Sequence, residues 1–187
     1  MTQVEIHGYA IVSDNDCIAD ASGRTPEMLR NEADWVYFQA ELNKSAVTVL
    51  GRLGHEANPN PKNRLRIILS SSSSGLEQRA DGWWWNPEEL PWDEAIRTVL
   101  PEGGPVAVPG GRRVFDLFLA IGYDAFHLTR AEGTHVPDGV PVFSGCQAGR
   151  SAEAILSERG LKPGEHQVLD PAGRVSLAIW RRSAGNY

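Results

Sequence analysis

Three short β-branched runs constrain what this chain can fold into. Ala46–Leu50 (AVTVL), Leu65–Leu69 (LRIIL) and Pro105–Val108 (PVAV) lack the regular polar alternation of a strand with one wet face. Runs of this kind suit strands covered on both sides, which is how parallel sheets bury their strands. Each stops at strand-breaking residues: Gly51, the serines Ser70 to Ser74, and Pro109-Gly110-Gly111. Helical spacing fills the intervals. From Asn31 to Leu42 the residues Ala33, Val36, Tyr37, Ala40 and Leu42 recur near a 3.6-residue period, with Trp35 and Phe38 widening the face. Trp92–Leu100, Val114–Ile121 and Ser151–Arg159 are predicted helices, and Val4–Val12 and Ala125–Thr129 are predicted strands. The segments SDNDCIADASGRTP and HEANPNPKN read as turns and loop. Near the C-terminus, HQVLD, the turn Pro171-Ala172-Gly173 and RVSLAIW predict a hairpin. The expectation is a three-layer α/β fold: a mixed, mostly parallel sheet, helices on both faces, and a C-terminal antiparallel hairpin.

Composition narrows the function classes. The chain has 187 residues, 41% hydrophobic, which suits a single domain over residues 1–187 with one full core. Its net charge of −6 argues against a protein that wraps nucleic acid. No apolar run reaches the roughly 18 residues of a membrane helix, and MTQVEIHGYAIVSDND lacks the basic-then-apolar pattern of a secretory signal. Two cysteines, Cys17 and Cys146, make neither a disulfide framework nor a multi-cysteine metal site. His7, His55, His127, His135 and His166 are scattered, so no metal is expected. The expected protein is cytoplasmic, monomeric or homodimeric, with a small-molecule partner and neither nucleic acid nor membrane.

Chemistry concentrates where strands end. In VAVPGGRRVF a strand runs into paired glycines and then a helix that opens on Arg112 and Arg113. Missing Cβ atoms permit close backbone approach, and unpaired N–H groups at a helix start can hold a phosphate. The plainer reading of that segment is a tight strand-to-helix turn. Gly51-Arg52 and Ser70-Ser71 put further anion-compatible residues at the carboxyl ends of strands, where open α/β sheets bind ligands. Asp34 sits near the start of the aromatic helix, with Phe38 one turn later on the same face. An acid there complements the helix dipole, and if buried it would also hold a proton near neutral pH.

In this order, EADWVYFQAELNKSAVTVLGR, NRLRIILSS, GGRRVFDLFL and FHLTRAEGTHVP resemble dihydrofolate reductase, over most of the chain from Val4 to Pro137 and more loosely through the hairpin. The resemblance implies an NADPH-dependent reductase transferring a hydride to a pterin-type substrate, most simply 7,8-dihydrofolate. Asp34 would be the acid of the pterin pocket, and Thr129 the threonine supporting it. Phe38 would pack on the substrate, Ile11 would line its pocket, and Arg64 would hold a glutamate α-carboxylate. Arg52, Ser70 and Ser71 would contact the adenosine side of NADPH. Gly110 and Gly111 would be joined by a cis peptide near the nicotinamide. The helix start at Arg112, Arg113, Val114 and Phe115 would hold the pyrophosphate.

The chain departs from that pattern at several points. Leu53-Gly54-His55 stands where a Thr and an aromatic usually follow Gly-Arg, and Arg112 replaces a third glycine. The lid segment Gly23–Glu27 lacks its tryptophan, and Gly133 replaces an acid. Three other identities therefore remain open: a riboflavin-pathway reductase acting on a ribosylaminopyrimidine, a dihydromethanopterin reductase, or a nucleotide-binding protein of the same fold without turnover. The sequence also leaves Trp83, Trp84 and Trp85 on one predicted strand, where they cannot share a face. Core or interface packing is the expected use of at least one.

Overall fold

A computed structural model describes residues 3–184. The strands are β1 (Val4–Val12), β2 (Cys17–Ala19), β3 (Val47–Gly51), β4 (Arg66–Leu69), β5 (Leu76–Arg79), β6 (Gly82–Trp85), β7 (Gly104–Gly110), β8 (Ala125–Ala131), β9 (Val140–Pro141), β10 (Leu161–Pro163), β11 (Gln167–Asp170) and β12 (Val175–Arg182). The helices are α1 (Glu32–Lys44), α2 (Arg52–Ala57), α3 (Trp92–Val99), α4 (Arg112–Ile121) and α5 (Ala152–Glu158). A ten-stranded sheet runs β10-β12-β8-β1-β7-β3-β4-β6-β5, with β11 also on β12. From β8 to β6 every pairing is parallel; β5, β10, β11 and β12 pair antiparallel. The mixed α/β fold with its C-terminal hairpin therefore stands as the sequence predicts.

Strand alternation sorts the side chains onto two faces. Ile6, Val49, Ile67, Trp85, Val106, Val108, Phe126 and Trp180 join the main core, which α3 and α4 complete through Trp92, Ile96, Phe115 and Phe118. Gly8 lies on that same side of β1, and a Cβ there would come within 2.3 Å of the Phe126 ring. Only glycine lets β1 and the aromatic approach so closely. On the other face stand His7, Tyr9 and Ile11 of β1, Thr48 of β3, and His127 and Thr129 of β8, under α1.

The helix α1 begins at Asn31, whose side-chain oxygen accepts the Asp34 N–H at 3.0 Å. Acids fill its first turn and Lys44 its last, as the helix dipole favours. Yet Leu42 is its only buried residue, while Trp35 and Val36 remain 56% and 62% exposed. Leu42 and Phe38 still pack α1 on Tyr9 and Ala107, so the cleft is the open margin beside the first turns of the helix rather than a space beneath it.

Several local expectations need correcting. Arg52–Ala57 is helical, so the first residues of the expected HEANPNPKN loop belong to α2. The α4 helix starts at Arg112 rather than Val114. The turn-rich segment after β1 contains β2, which pairs with β9 in a separate two-stranded sheet. Strand β6 carries the three tryptophans: Trp83 and Trp85 face the main core, and Trp84 alone faces the other way. There Trp84 meets the edge of His55 at 5.9 Å, donates to Asp81 at 2.8 Å, and lies under Arg79 at 4.4 Å. No helix among the described residues is long and apolar enough to cross a membrane.

Candidate functional site

The carboxyl ends of β8, β1, β7, β3 and β4 lie side by side in that order, so their terminal residues share one rim of the sheet. Ile11 is in register with Thr129 across β1 and β8. Gly110-Gly111, Gly51-Arg52 and Leu69-Ser70 follow along the same edge. Sequence-distant candidates thus converge, as ligand sites of open α/β sheets do.

Asp34 is half-buried, and burial raises its carboxyl above the ordinary aspartate value. Buried Thr129 works in the opposite direction and is the weaker effect. Phe38, one turn on, meets Tyr9 at 5.8 Å and Trp35 at 6.1 Å. Asp34, Thr129, Ile11 and Phe38 therefore outline one compartment: a carboxyl held partly out of water beside apolar and aromatic walls.

Arg64, in the loop before β4, reaches the later turns of α1. Its guanidinium donates to Gln39 Oε1 at 3.0 Å and Asn43 Oδ1 at 2.7 Å. Nine residues of helix separate Asp34 from Asn43, about 13 Å at the standard rise. Beside Arg64 is a cavity of about 180 Å³ lined also by Leu42, Asn43, Lys62 and Leu65.

On the other side of the rim, the peptide between Gly110 and Gly111 is cis, as the resemblance implies. Gly110 has φ +120°, a region open to glycine, and a Cβ there would press on the Phe115 ring at 3.1 Å. Gly111 is different: a Cβ would meet nothing within 4 Å, so the backbone borders open space. The first turn of α4 contains no acid and opens on Arg112 and Arg113, which have no carboxylate partner among the described residues. Two expected contacts need correction. Val114 and Phe115 are core side chains, 2% and 1% exposed, because they form the inner face of α4. The Phe115 N–H is also spent on Gly111 O at 2.9 Å, leaving Phe115 nothing polar to offer. Val114 can contribute only its backbone.

Arg52 is exposed and ion-paired with Glu56 at 3.0 Å, a surface pair that a stronger anion can displace. Ser71 is exposed; Ser70 is buried, its hydroxyl 2.9 Å from that of Ser72. The lid segment Gly23–Glu27 is stapled by Asp20, which accepts the Arg24 N–H, and Leu29 anchors it in a small core with Cys17, Val136 and Val175. Both cysteines are free, and burial pushes the Cys146 thiol up to about 11. Among the described residues, no three His, Cys, Asp or Glu side chains converge as a metal site.

The sequence reading missed a polar cluster under α1. His127 accepts or donates at both ring nitrogens, to Tyr37 Oη at 2.5 Å and His7 Nδ1 at 3.2 Å, while Tyr9 stacks on its ring at 4.3 Å. Tyr9 donates in turn to Glu41 at 3.4 Å. The signal was the alternation His7-Tyr9-Ile11 on one strand and His127-Thr129 on its neighbour, which places all five on the cleft face.

Two of the solved structures that match this arrangement of strands and helices show its character. A dihydrofolate reductase from Enterococcus faecalis, complexed with NADP(H) and RAB-propyl, superposes with TM-score 0.66 at 16% identity, covering 96% of this chain and 97% of that one. The chain has a dihydrofolate reductase-like fold. A protein from Shewanella sp. PV-4, assigned to riboflavin biosynthesis, shares that dihydrofolate reductase-like fold with TM-score 0.67 at 18% identity, over 97% of this chain and all of the other. No protein-family model matches the sequence, and no curated protein matches it.

Proposed function

We propose that this protein is an NADPH-dependent reductase of a pterin-type substrate, with 7,8-dihydrofolate the first candidate. The observation that carries the reading is Asp34: a half-buried carboxyl, raised by burial against the weaker influence of Thr129, at the rim of a cleft with aromatic walls. A carboxyl so placed can bind the N–H groups of a pterin edge and hold a proton close to the ring being reduced.

The opposite side of the rim fits a dinucleotide. Gly111 borders open space, the acid-free start of α4 offers the N–H groups of Arg112, Arg113 and Val114, and two arginines supply bidentate donors for phosphate oxygens. Arg52, one strand away after β3, and Ser70 and Ser71, two strands away after β4, suit the adenosine end and its extra phosphate. NADPH, when bound, supplies the hydride. The chain's own residues then align the two ligands and deliver a proton through Asp34, whose carboxyl burial raises.

A specific observation favours a second substrate class. Arg64 is already bonded to Gln39 and Asn43, so a glutamate tail has to compete for it, whereas a ribosylaminopyrimidine needs no such anchor. The likeness to the Shewanella protein points the same way. Oxidation of NADPH followed by absorbance, with dihydrofolate and with the ribosylaminopyrimidine as acceptors, separates the readings. Turnover with dihydrofolate supports the first and turnover only with the pyrimidine supports the second. Tight NADPH binding with no oxidation leaves a nucleotide-binding protein.

A further inference from the structure

We propose that Glu5, His7, His127 and Tyr37 form a proton path between solvent and the Asp34 end of the cleft. The inference rests on the reductase reading, because reducing a C=N bond consumes one proton for every hydride delivered. A pocket closed over its ligands has to draw that proton from somewhere.

The contacts run in sequence. Tyr37 Oη lies 2.5 Å from His127 Nδ1, and His127 Nε2 lies 3.2 Å from His7 Nδ1. His7 Nε2 is 3.7 Å from Glu5 Oε2, whose side chain is 53% exposed. Each imidazole is entered at one ring nitrogen and left at the other, which is the geometry a relay requires. At the inner end, Tyr37 follows Asp34 by three residues on α1, so the two share one face of the helix, the Asp34 charge acts on the Tyr37 hydroxyl, and water between them completes the path. His127 precedes Thr129 by two residues on β8 and shares its face. The groups facing the path are Glu5 and Tyr9 from β1, Asp34, Glu41 and Lys44 from α1, Asp124 at the start of β8, and Arg181 from β12.

Their electrostatics keep the path neutral. Burial first, then His7, Arg181 and Lys44, push His127 down to about 3. Burial also lowers His7 and raises the Tyr37 hydroxyl. Neither imidazole traps a proton at neutral pH, and the phenol keeps its own. In one concerted shift the Tyr37 O–H proton passes to the water beside Asp34. His127 gives its Nδ1 proton to Tyr37 Oη, His7 gives its Nδ1 proton to His127 Nε2, and His7 Nε2 takes one from solvent water beside Glu5. The water hands its extra proton to the Asp34 carboxylate. His7, His127 and Tyr37 end neutral with both imidazoles in the other tautomer, and solvent has supplied the one proton that moved inward.

A purely structural cluster would tie α1 to the sheet without affecting how the rate depends on pH. The test is single-turnover hydride transfer in the complex with NADPH and dihydrofolate, in wild type, Tyr37→Phe and His7→Gln, across mildly acidic to alkaline pH. With the path broken, the chemical step should fall about tenfold at alkaline pH and far less at acidic pH, with KM unchanged. Histidine ¹⁵N spectra of the protein without ligands should show His127 neutral in mildly acidic solution, its signals shifted by Tyr37→Phe. Parallel pH profiles in an active wild type and both variants would overturn the path alone. A wild type that never oxidises NADPH would remove the reductase reading and the path with it.

Discussion

Thr129 on β8 and Asp34 in the first turn of α1 act on each other across the site: Thr129 favours the charged carboxylate, while burial favours the neutral acid and prevails. Thr129→Val should therefore raise Asp34 further and move the alkaline limb of the kcat profile upward, as measured by steady-state turnover against pH.

Asp34 also affects stability, with a definite sign. A carboxyl whose folded pKa lies above its unfolded value binds more protons when folded, so stability declines as pH rises between the two values. Above that window the cost is fully present. Asp34→Asn should therefore raise the melting temperature at neutral pH, and the gain should fade on acidification below the ordinary aspartate range. Thermal unfolding at several pH values checks both parts.

His127 works the other way. Its folded value near 3 lies below the ordinary histidine value of 6.5, so the unfolded chain binds the extra proton and stability is lost as pH falls from about 6.5 toward 3. His127→Phe keeps an aromatic ring under Tyr9 and should flatten the acid limb of the stability profile.

Asn31 links the site to the hairpin. Its oxygen caps α1, and its amide donates to Asp170 at 2.8 Å. Asn31→Ala should cost about 1 kcal/mol in chemical denaturation, typical of a lost N-cap. It should also raise KM, because Asp34 sits in the turn being uncapped. Gly8→Ala should cost about 1–3 kcal/mol through overpacking against Phe126, with Phe126→Leu restoring part of it.

The sheet was legible because buried parallel strands leave continuous β-branched runs, and Val4–Val12 and Trp92–Val99 fall where the pattern puts them. What escaped had no local signature. The α2 helix follows Gly51 and carries Gly54, a composition that reads as loop; β10 is a three-residue edge defined only by its partner β12. In the site, Asp34, Thr129 and the Gly110-Gly111 turn were legible as residues, while Asp34 as an acid in a first helical turn looked like ordinary dipole complementarity. Val114 and Phe115 turn their side chains into the core, because a helix start offers backbone to one side and side chains to the other, and only packing decides which. The His7–His127–Tyr37 cluster joins three elements, so no single segment announces it.

Cofactor preference gives a further prediction. If Arg52 and Ser70 receive the extra phosphate of NADPH, Arg52→Ala should weaken NADPH by about tenfold while leaving NADH nearly unchanged, the worth of one charge-assisted hydrogen bond. Fluorescence titration of both cofactors reads the ratio directly.

The central claim is most directly tested by NADPH oxidation in the presence of 7,8-dihydrofolate, with wild type and Asp34→Asn side by side at neutral pH. Turnover in wild type that falls by about 100-fold or more in the variant, with NADPH affinity preserved, is the result expected of a positioned proton-holding carboxyl. Equal turnover in both proteins would contradict the role of Asp34, and wild type that fails to bind NADPH would contradict the reductase reading itself.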